Sequence, residues 1–600
     1  MTAGPVAPRR PLLWIALAAL PFFLLDLGRP ALNDGEAMYA EVPREMRARG
    51  DWVTPHVNGA RHFDKPPLIY WAIGAGQAFL GETELSARLW PALAAWATIP
   101  VAGAVGAALF GARSGWLGAL AFAASLGPHL FGRQVMPDAM LCLWIALAIL
   151  GYARGFLRGA EGRGPWPWVM YASLGLAVLT KGLLGVGLPA AIIGLHALLS
   201  GRLGAFRSWR AVAGLALAAA VALPWHLAVG RANPDFFGYY VVREHLLRFT
   251  GRRFPQDEVL PLPIFLLFTL AWTFPWMGLV PQALGRAGRR LAAAGARKAE
   301  DLLPLLWVGI IVGLFAASRS RLEYYALPAL PAVALLVGRF WDEVLSPAGN
   351  PGGGALPAPS RRALVLALGA TAALMAAAAA ASLVVLGPWK AVVSRAVAAW
   401  WPESGWFGDP EQHAMLERIR IPTMATLVGA AGLTLGALAA ARRGRHGVAC
   451  ALLAGMMAPI LTLVHWGFLV VEPWQSSRPV AEIVQRMAGS DDPVVFQEPY
   501  EYMWVGGITF YAKRMVFILK DPRFEGLPAR RREPPERFLD RQQLEALWAS
   551  GRRVVVVADE RGGVEAALDR VRPAEVLGRA GGRVVFRPSA AGRQTLDAGR

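Results

Sequence analysis

The sequence predicts a mainly α, polytopic membrane protein of about thirteen transmembrane helices, ending in a small α/β domain outside the membrane. Three observations carry this. The chain is 55% hydrophobic and only 17% charged, where an ordinary soluble domain has about 25% charged residues. Its mean hydropathy is +0.39. Ala211–Val229, Ala363–Leu386 and Gly447–Val471 are apolar runs that reach or approach the roughly 20 residues a membrane helix needs. From Glu472 onward such runs stop, and short β-type segments alternate with helical patterns.

Charge fits the same class. There are 61 basic and 42 acidic residues, a net charge of +19. In a soluble chain this would suggest nucleic acid; here the excess sits in short loops and reads as topology, so no nucleic-acid partner is expected. From Glu472 onward there are 21 basic and 18 acidic residues, so nearly all the excess lies in the membrane part. The two cysteines, Cys142 and Cys450, fall within apolar runs and make neither a disulfide framework nor a thiolate metal site.

Met1 to Arg10 is basic and Pro11 to Leu27 apolar, without a convincing small-residue cleavage site, which predicts a retained first helix with Arg9 and Arg10 in the cytoplasm. Further spans are expected near residues 87–111, 116–133, 138–157, 168–181, 183–200, 211–229, 260–281, 302–317, 325–338, 362–387, 421–441 and 447–471. The loops placed inside carry Arg154, Arg158 and Arg163, then Arg202, Arg207 and Arg210, then Arg286, Arg289, Arg290, Arg297 and Lys298, then Arg442, Arg443 and Arg445. Pro347 to Pro359, rich in Gly, Pro and Ala, reads as a flexible inside loop. The opposite loops mix signs: residues 28–66 hold six basic and six acidic residues, which suits function better than topology. The division is 1–471 for the membrane part, with outer loops 28–86, 230–260 and 318–325 forming the site, and 472–600 for an α/β domain of about 125 residues. Its strands are expected at Pro493 to Phe496, Val554 to Val557 and Val584 to Phe586, and a helix at Arg541 to Ala549. An odd number of spans from an inside N-terminus places this domain outside, in the periplasm of a bacterium with two membranes.

The candidate chemistry lies on that outer side. The first loop contains Asn33-Asp34-Gly35-Glu36, then His62-Phe63-Asp64-Lys65-Pro66-Pro67. Each acidic residue taken alone is equally well solvated surface charge. Asp64-Lys65, between an aromatic and two prolines, is more constrained, because Pro-Pro restricts its own backbone and that of the residue before it. Leu68 to Phe79 is amphipathic and aromatic, as a helix at the membrane interface should be, so Lys65 is placed to meet a lipid phosphate. Asp138 opens a span, and an ionisable residue there is either simply exposed or in use. Lys181 in Thr180-Lys181-Gly182 sits between two spans, where snorkelling is the plainer reading. Glu244 and Arg248 share a helical face, with His245 beside them. A lone histidine is usually structural; alternatively, with Asp34, Asp64 and Asp138 on the same side, it completes a divalent metal site. Arg319, Arg321 and Tyr325 cap another span and suit an anionic headgroup. Carboxylates suit deprotonation of an acceptor hydroxyl, and cations a phosphate leaving group. No P-loop, dinucleotide glycine pattern, Ser-His-Asp order or zinc-protease motif stands out, so no nucleotide or redox cofactor is expected.

In order, Glu36 to Met46, Gly50-Asp51-Trp52, Phe63 to Pro67, Thr180-Lys181-Gly182, Leu223-Pro224-Trp225, Glu244-His245 to Arg248-Phe249, Phe274-Pro275-Trp276, and Arg321-Leu322 with Tyr325 resemble the polytopic glycosyltransferases that use polyprenyl-phosphate sugars. The likeness is strongest to the bacterial lipid A aminoarabinose transferase family and more distant to protein O-mannosyltransferases. It covers nearly the whole membrane part. It implies a catalytic carboxylate in the first outer loop, at Asp34 or, because Gly35 separates the pair, at Glu36, with a further aspartate at Asp138. It implies that Lys65 holds the carrier phosphate, helped by Arg248, Tyr325 and Arg321, and that Asp64 and His245 ligate one divalent ion. The implied partners are a polyprenyl-phosphate sugar donor, a lipid or glycan acceptor and the lipids of a bacterial inner membrane. Protein O-glycosylation is the alternative, and a lipid-linked sugar transporter the next. A transporter predicts repeated halves, and the sequence shows no internal repeat.

Overall fold

A computed structural model describes residues 9–157, 164–253, 259–295, 300–346, 361–385, 410–497, 505–519, 537–560 and 562–589. The chain opens with α1 (Arg9–Leu24) and α2 (Asp34–Arg49), then a two-residue hairpin of β1 (His56–Val57) and β2 (Ala60–Arg61), then α3 (Leu68–Leu80) and α4 (Glu84–Phe110). A helical array follows: α5 (Ala112–Ala123), α6 (Leu126–Gly132), α7 (Pro137–Tyr152), α8 (Trp166–Lys181), α9 (Leu183–Leu199), α10 (Trp209–Ala232), α11 (Leu262–Ala271), α12 (Val280–Ala294), α13 (Leu302–Ala317), α14 (Leu330–Leu345), α15 (Arg361–Val385), α16 (Pro410–Arg442), α17 (His446–Gly455) and α18 (Met457–Gln475).

Helices stand wherever a span was expected. Six stretches are long and apolar enough to cross a membrane: Glu84–Phe110, Pro137–Leu157, Trp209–Ala232, Arg361–Val384, Glu417–Arg442 and His446–Gln475. Others, such as Leu183–Leu199 and Leu302–Ala317, are apolar but shorter, so among the described residues helix length supports six spans and leaves the count of about thirteen open. Three expected spans are broken, 447–471 only by a one-residue turn at Met456 between α17 and α18. The stretch 116–133 divides between α5 and α6, and 260–281 stops at Ala271, where turns carry Phe274-Pro275-Trp276. Those turns are held by Gly127 N donating to Trp272 O at 2.9 Å and Leu126 N donating to Phe274 O at 3.0 Å. Pro347 to Pro359 lies outside the described residues.

The C-terminal part begins with α19 (Arg478–Met487) and continues with β3 (Val494–Gln497), α20 (Gly506–Ala512), β4 (Phe517–Leu519), β5 (Phe538–Leu539), α21 (Arg541–Ala549), β6 (Val555–Asp559), α22 (Val564–Asp569), β7 (Ala574–Ala580) and β8 (Arg583–Pro588). The strands form one six-stranded sheet in the order β5-β4-β3-β6-β8-β7. The β5-β4-β3-β6 pairs are parallel, and β8 runs antiparallel to both β6 and β7. A parallel strand is buried on both faces and reads as a continuous apolar run, as Val554–Val557 does. Val495, Val556 and Phe586 pack on Leu544 and Trp548 on one side. On the other, Val494, Phe496, Val555, Val557 and Val585 share one core with Met38, Val57, Ile69 and Tyr70 of the first outer loop. The sheet and that loop therefore sit on the same side of the helical array and are packed as one body.

Candidate functional site

The loop from β2 to α3 brings Asp64-Lys65 against the segment after α10. Phe63 is buried among Phe236, Tyr239 and Tyr240, which anchors the motif beneath the π-helical turn Gly238–Leu247. Tyr239 Oη donates to Asp64 Oδ1 at 2.8 Å, and Arg253 Nη2 lies 3.7 Å from Asp64 Oδ2. Arg253 Nε donates to Glu244 Oε1 at 2.9 Å, and Arg248 Nη1 to Glu244 Oε2 at 3.4 Å. Lys65 is half-buried and donates to the carbonyl of Asp64 at 3.2 Å.

A second group approaches from the helix ends. Asp138, in the first turn of α7, forms an ion pair with Lys181, the last residue of α8. Each charge opposes the dipole end that carries it favourably. Lys181 Nζ is 5.2 Å from the ring centroid of Tyr325 and 5.9 Å from that of Tyr324. Tyr39 of α2 stacks on Tyr70 with centroids 6.0 Å apart and feels the charges of Asp138, Asp64 and Arg248. Lys65 feels Arg248, Asp64, Glu244 and Lys181. One region thus collects the carboxylates Asp64, Asp138 and Glu244, the cations Lys65, Lys181, Arg248 and Arg253, and the phenols Tyr39, Tyr239, Tyr324 and Tyr325.

Its electrostatics follow from burial. Desolvation and then the Arg248 charge depress the Lys65 ammonium to about 8. Burial opposes ionisation of Asp64, but His62, Arg253, Lys65 and the Tyr239 hydroxyl outweigh it and hold that carboxyl well below its usual range. Glu244 is raised by burial and by Asp64. Burial also raises Tyr39, which stays a phenol, and lowers His245, which stays neutral. His245 Nδ1–H donates to the Tyr240 carbonyl at 2.7 Å.

The structure brings together Asp64, Lys65, Asp138, Arg248, His245 and Tyr325. It does not bring in Asp34, Glu36 or Arg321 as expected. Glu36 is buried and bound at both oxygens: Arg88 Nε and Nη2 donate at 2.9 and 2.7 Å, and Val135 N at 2.9 Å. Its side chain also closes the capping box of α2 with Asn33. Arg321 donates to the carbonyls of Leu260, Ala316 and Ser318 and so ties a loop rather than facing an anion. Asp34 faces the C-terminal sheet through Ser477 and Arg583. Breaking a buried pair leaves an uncompensated charge, at a cost of about 3–5 kcal/mol. Glu36→Ala should therefore lower the unfolding free energy by about that much, and Glu36→Ala with Arg88→Met should regain part of it; thermal unfolding in detergent measures both.

Sequence reasoning missed Tyr39, Tyr239 and Arg253, and read Lys181 as snorkelling. The signal for Lys181 was its glycine. Gly182 has φ +63°, and a Cβ there would lie 1.9 Å from Tyr240 Oη and 2.9 Å from His245 Nε2, so Thr180-Lys181-Gly182 is a close approach to the site rather than a plain helix end. The expected metal ligands do not fit a divalent ion. Both Asp64 oxygens face donors, four cationic side chains crowd the region, and no group of three His, Cys, Asp or Glu among the described residues can hold a metal.

Residues 31–240 match the family model described as dolichyl-phosphate-mannose-protein mannosyltransferase. Over 340 residues the chain is 32% identical to an undecaprenyl phosphate-alpha-4-amino-4-deoxy-L-arabinose arabinosyl transferase of Sodalis glossinidius, a match covering 55% of this chain and 59% of that relative. A second, of Edwardsiella ictaluri, is 28% identical over 386 residues, 63% of this chain and 66% of its own length. The chain therefore spans somewhat under two thirds of these curated relatives. The crystal structure of ArnT from Cupriavidus metallidurans bound to undecaprenyl phosphate superposes with a TM-score of 0.78 at 22% identity, covering 98% of this chain and 99% of that one. The chain has the ArnT fold. The resemblance seen in the motifs is thus carried by sequence relatives, by a family model and by a fold shared almost end to end. The ArnT fold also includes the C-terminal sheet, where the motifs fell silent.

Proposed function

We propose that this protein transfers a sugar from a polyprenyl-phosphate carrier to an envelope acceptor, a lipid A-like glycolipid, at the outer face of a bacterial inner membrane. The observation that carries the reading is the placement of Lys65 in the field of Arg248 and of Lys181, the lysine that is itself ion-paired with Asp138. Transfer needs those two kinds of group together. The acceptor oxygen attacks the anomeric carbon and its proton passes to a base; the bond from that carbon to the phosphate oxygen breaks, and the carrier leaves as a phosphomonoester with one more negative charge. Carboxylates serve the first event and cations the second. Phe79 and Leu80 at the end of α3 are exposed and offer an apolar surface on which a prenyl chain can lie. The loop charges support a cytoplasmic N-terminus, with the site and C-terminal domain outside. A protein acceptor is the second reading, favoured by the mannosyltransferase family match over residues 31–240.

Purified protein in lipid vesicles, given radiolabelled undecaprenyl-phosphate aminoarabinose and lipid A, should move label into the glycolipid. Label in protein would favour the second reading. Label carried across sealed vesicles without a new product would replace transfer with transport.

A further inference from the structure

We propose that Asp34 is a positioning residue: with Arg583 and Ser477 it latches the C-terminal domain onto α2, and the latch sets the face that α2 turns to the site. The latch stands on geometry alone; its purpose rests on the transfer reading above.

Asp34 Oδ1 accepts from the backbone N–H of Ser477 at 2.8 Å, at the start of α19, and Oδ2 accepts from Arg583 Nη2 of β8 at 3.1 Å. Arg583 also donates to Ser477 Oγ, and its guanidinium lies 4.8 Å from the ring centroid of Phe496 in β3. One carboxylate thus joins the first turn of α2 to a helix and a strand more than four hundred residues away. The surroundings leave it no slack. A Cβ on Gly507 would sit 2.0 Å from Asp34 Oδ1, and one on Gly506 would sit 2.4 Å from Met38 Cα. Only glycines let α20 approach α2 this closely.

The rest of the interface falls on the same loop. Leu32 N donates to Tyr511 Oη at 2.7 Å, and Tyr511 Oη donates to Glu84 at 3.1 Å. Asn58 exchanges two hydrogen bonds of 2.9 Å with the backbone of Val516. The domain therefore grips the segment that carries Tyr39, Asp64 and Lys65. At 3.6 residues per turn, Asp34, Met38 and Glu41 share one face of α2, while Tyr39 points about 140° away from Asp34. The helix is a splint with one face on the C-terminal domain and the other at the charge cluster. A carboxylate serving as base must offer an oxygen to the acceptor, and both Asp34 oxygens are taken.

Charge reversal tests this in the full-length protein in lipid nanodiscs. Asp34→Arg and Arg583→Asp should each expose the C-terminal domain to limited proteolysis and lower turnover by about 10- to 100-fold, the size of a small misplacement at a reacting centre. Asp34→Asn, which keeps the side-chain shape and the acceptor for Ser477 N–H in the tight space beside Gly507, should keep the domain protected and retain most of the turnover. Protection kept in Asp34→Asn with turnover lost would place Asp34 in the chemistry and overturn the positioning role. Single variants as protected as wild type would overturn the latch. Gly507→Ala touches no charge and should also undock the domain and lower turnover; undocking at full turnover would likewise overturn the role. Proteolysis is read without donor or acceptor, so a failure of the transfer reading leaves the latch separately testable.

Discussion

Lys65→Ala is expected to give a folded, membrane-inserted protein whose transfer rate is about 100- to 1000-fold below wild type, or about 3–4 kcal/mol, the scale of losing one donor aimed at developing charge. The carrier phosphate gains negative charge as the glycosidic bond breaks, so a cation beside it acts more on the transition state than on the ground state. A lysine that only pairs with headgroups would cost no more than about 1 kcal/mol. Turnover within about fivefold of wild type would therefore remove Lys65 from the site and direct attention to Arg248 and Lys181. The same residue predicts a pH dependence. With its ammonium depressed to about 8, Lys65 is charged below that pH and neutral above it, so kcat/KM should fall as pH rises through about 8. In Lys65→Arg the guanidinium stays charged throughout. That variant should retain part of the activity and lose the alkaline limb. A limb persisting unchanged in Lys65→Arg would assign it to another group.

The fold was legible where local signals are strong. Apolar runs located the helices because burying backbone in lipid demands long apolar segments, and the helix Arg541–Ala549 falls where its pattern placed it. Span 260–281 was misjudged because an apolar run does not reveal a loop that is buried in protein. The turn after Ala271 is satisfied by α6, and Trp276 Nε1 donates to the carbonyl of Ala121 at 2.8 Å. The site was legible in residue type but not in partnership. Asp64, Lys65 and Asp138 stood out as charges beside apolar runs. Nothing in the chain near Asp34 announces Arg583, and nothing near Glu36 announces Arg88, because ion pairs between distant segments leave no periodicity. Motifs also mix roles: Trp225 donates to the carbonyl of Val53 at 2.9 Å and holds the first outer loop in place, whereas Lys181, which looked like an ordinary helix end, lies in the cluster.

Asp138→Asn is expected to lower transfer by about 100- to 10,000-fold, the range a positioned general base supplies. Asp138 is the carboxylate best placed for that role. Asp34 and Glu36 are bound at both oxygens, Glu244 is held by Arg253 and Arg248, and Asp64 by Tyr239 and Arg253. Asp138 is buried at the start of α7, and its one ion-pair partner among the described residues, Lys181, is held under the rings of Tyr324 and Tyr325. The loss has two candidate causes. The amide cannot take the acceptor proton, and it also leaves Lys181 without its counter-charge in a largely desolvated place, which by itself costs about 3–5 kcal/mol of stability. Asp138→Asn with Lys181→Met separates them. Removing the orphaned ammonium should recover thermal stability, because no unpaired charge remains, but not transfer, because no base has been returned. If the double variant regains turnover along with stability, Asp138 serves only to neutralise Lys181, and the proton must go elsewhere. If Lys181→Met alone leaves both stability and turnover unchanged, its contact with Asp138 is incidental and the snorkelling reading of that lysine stands.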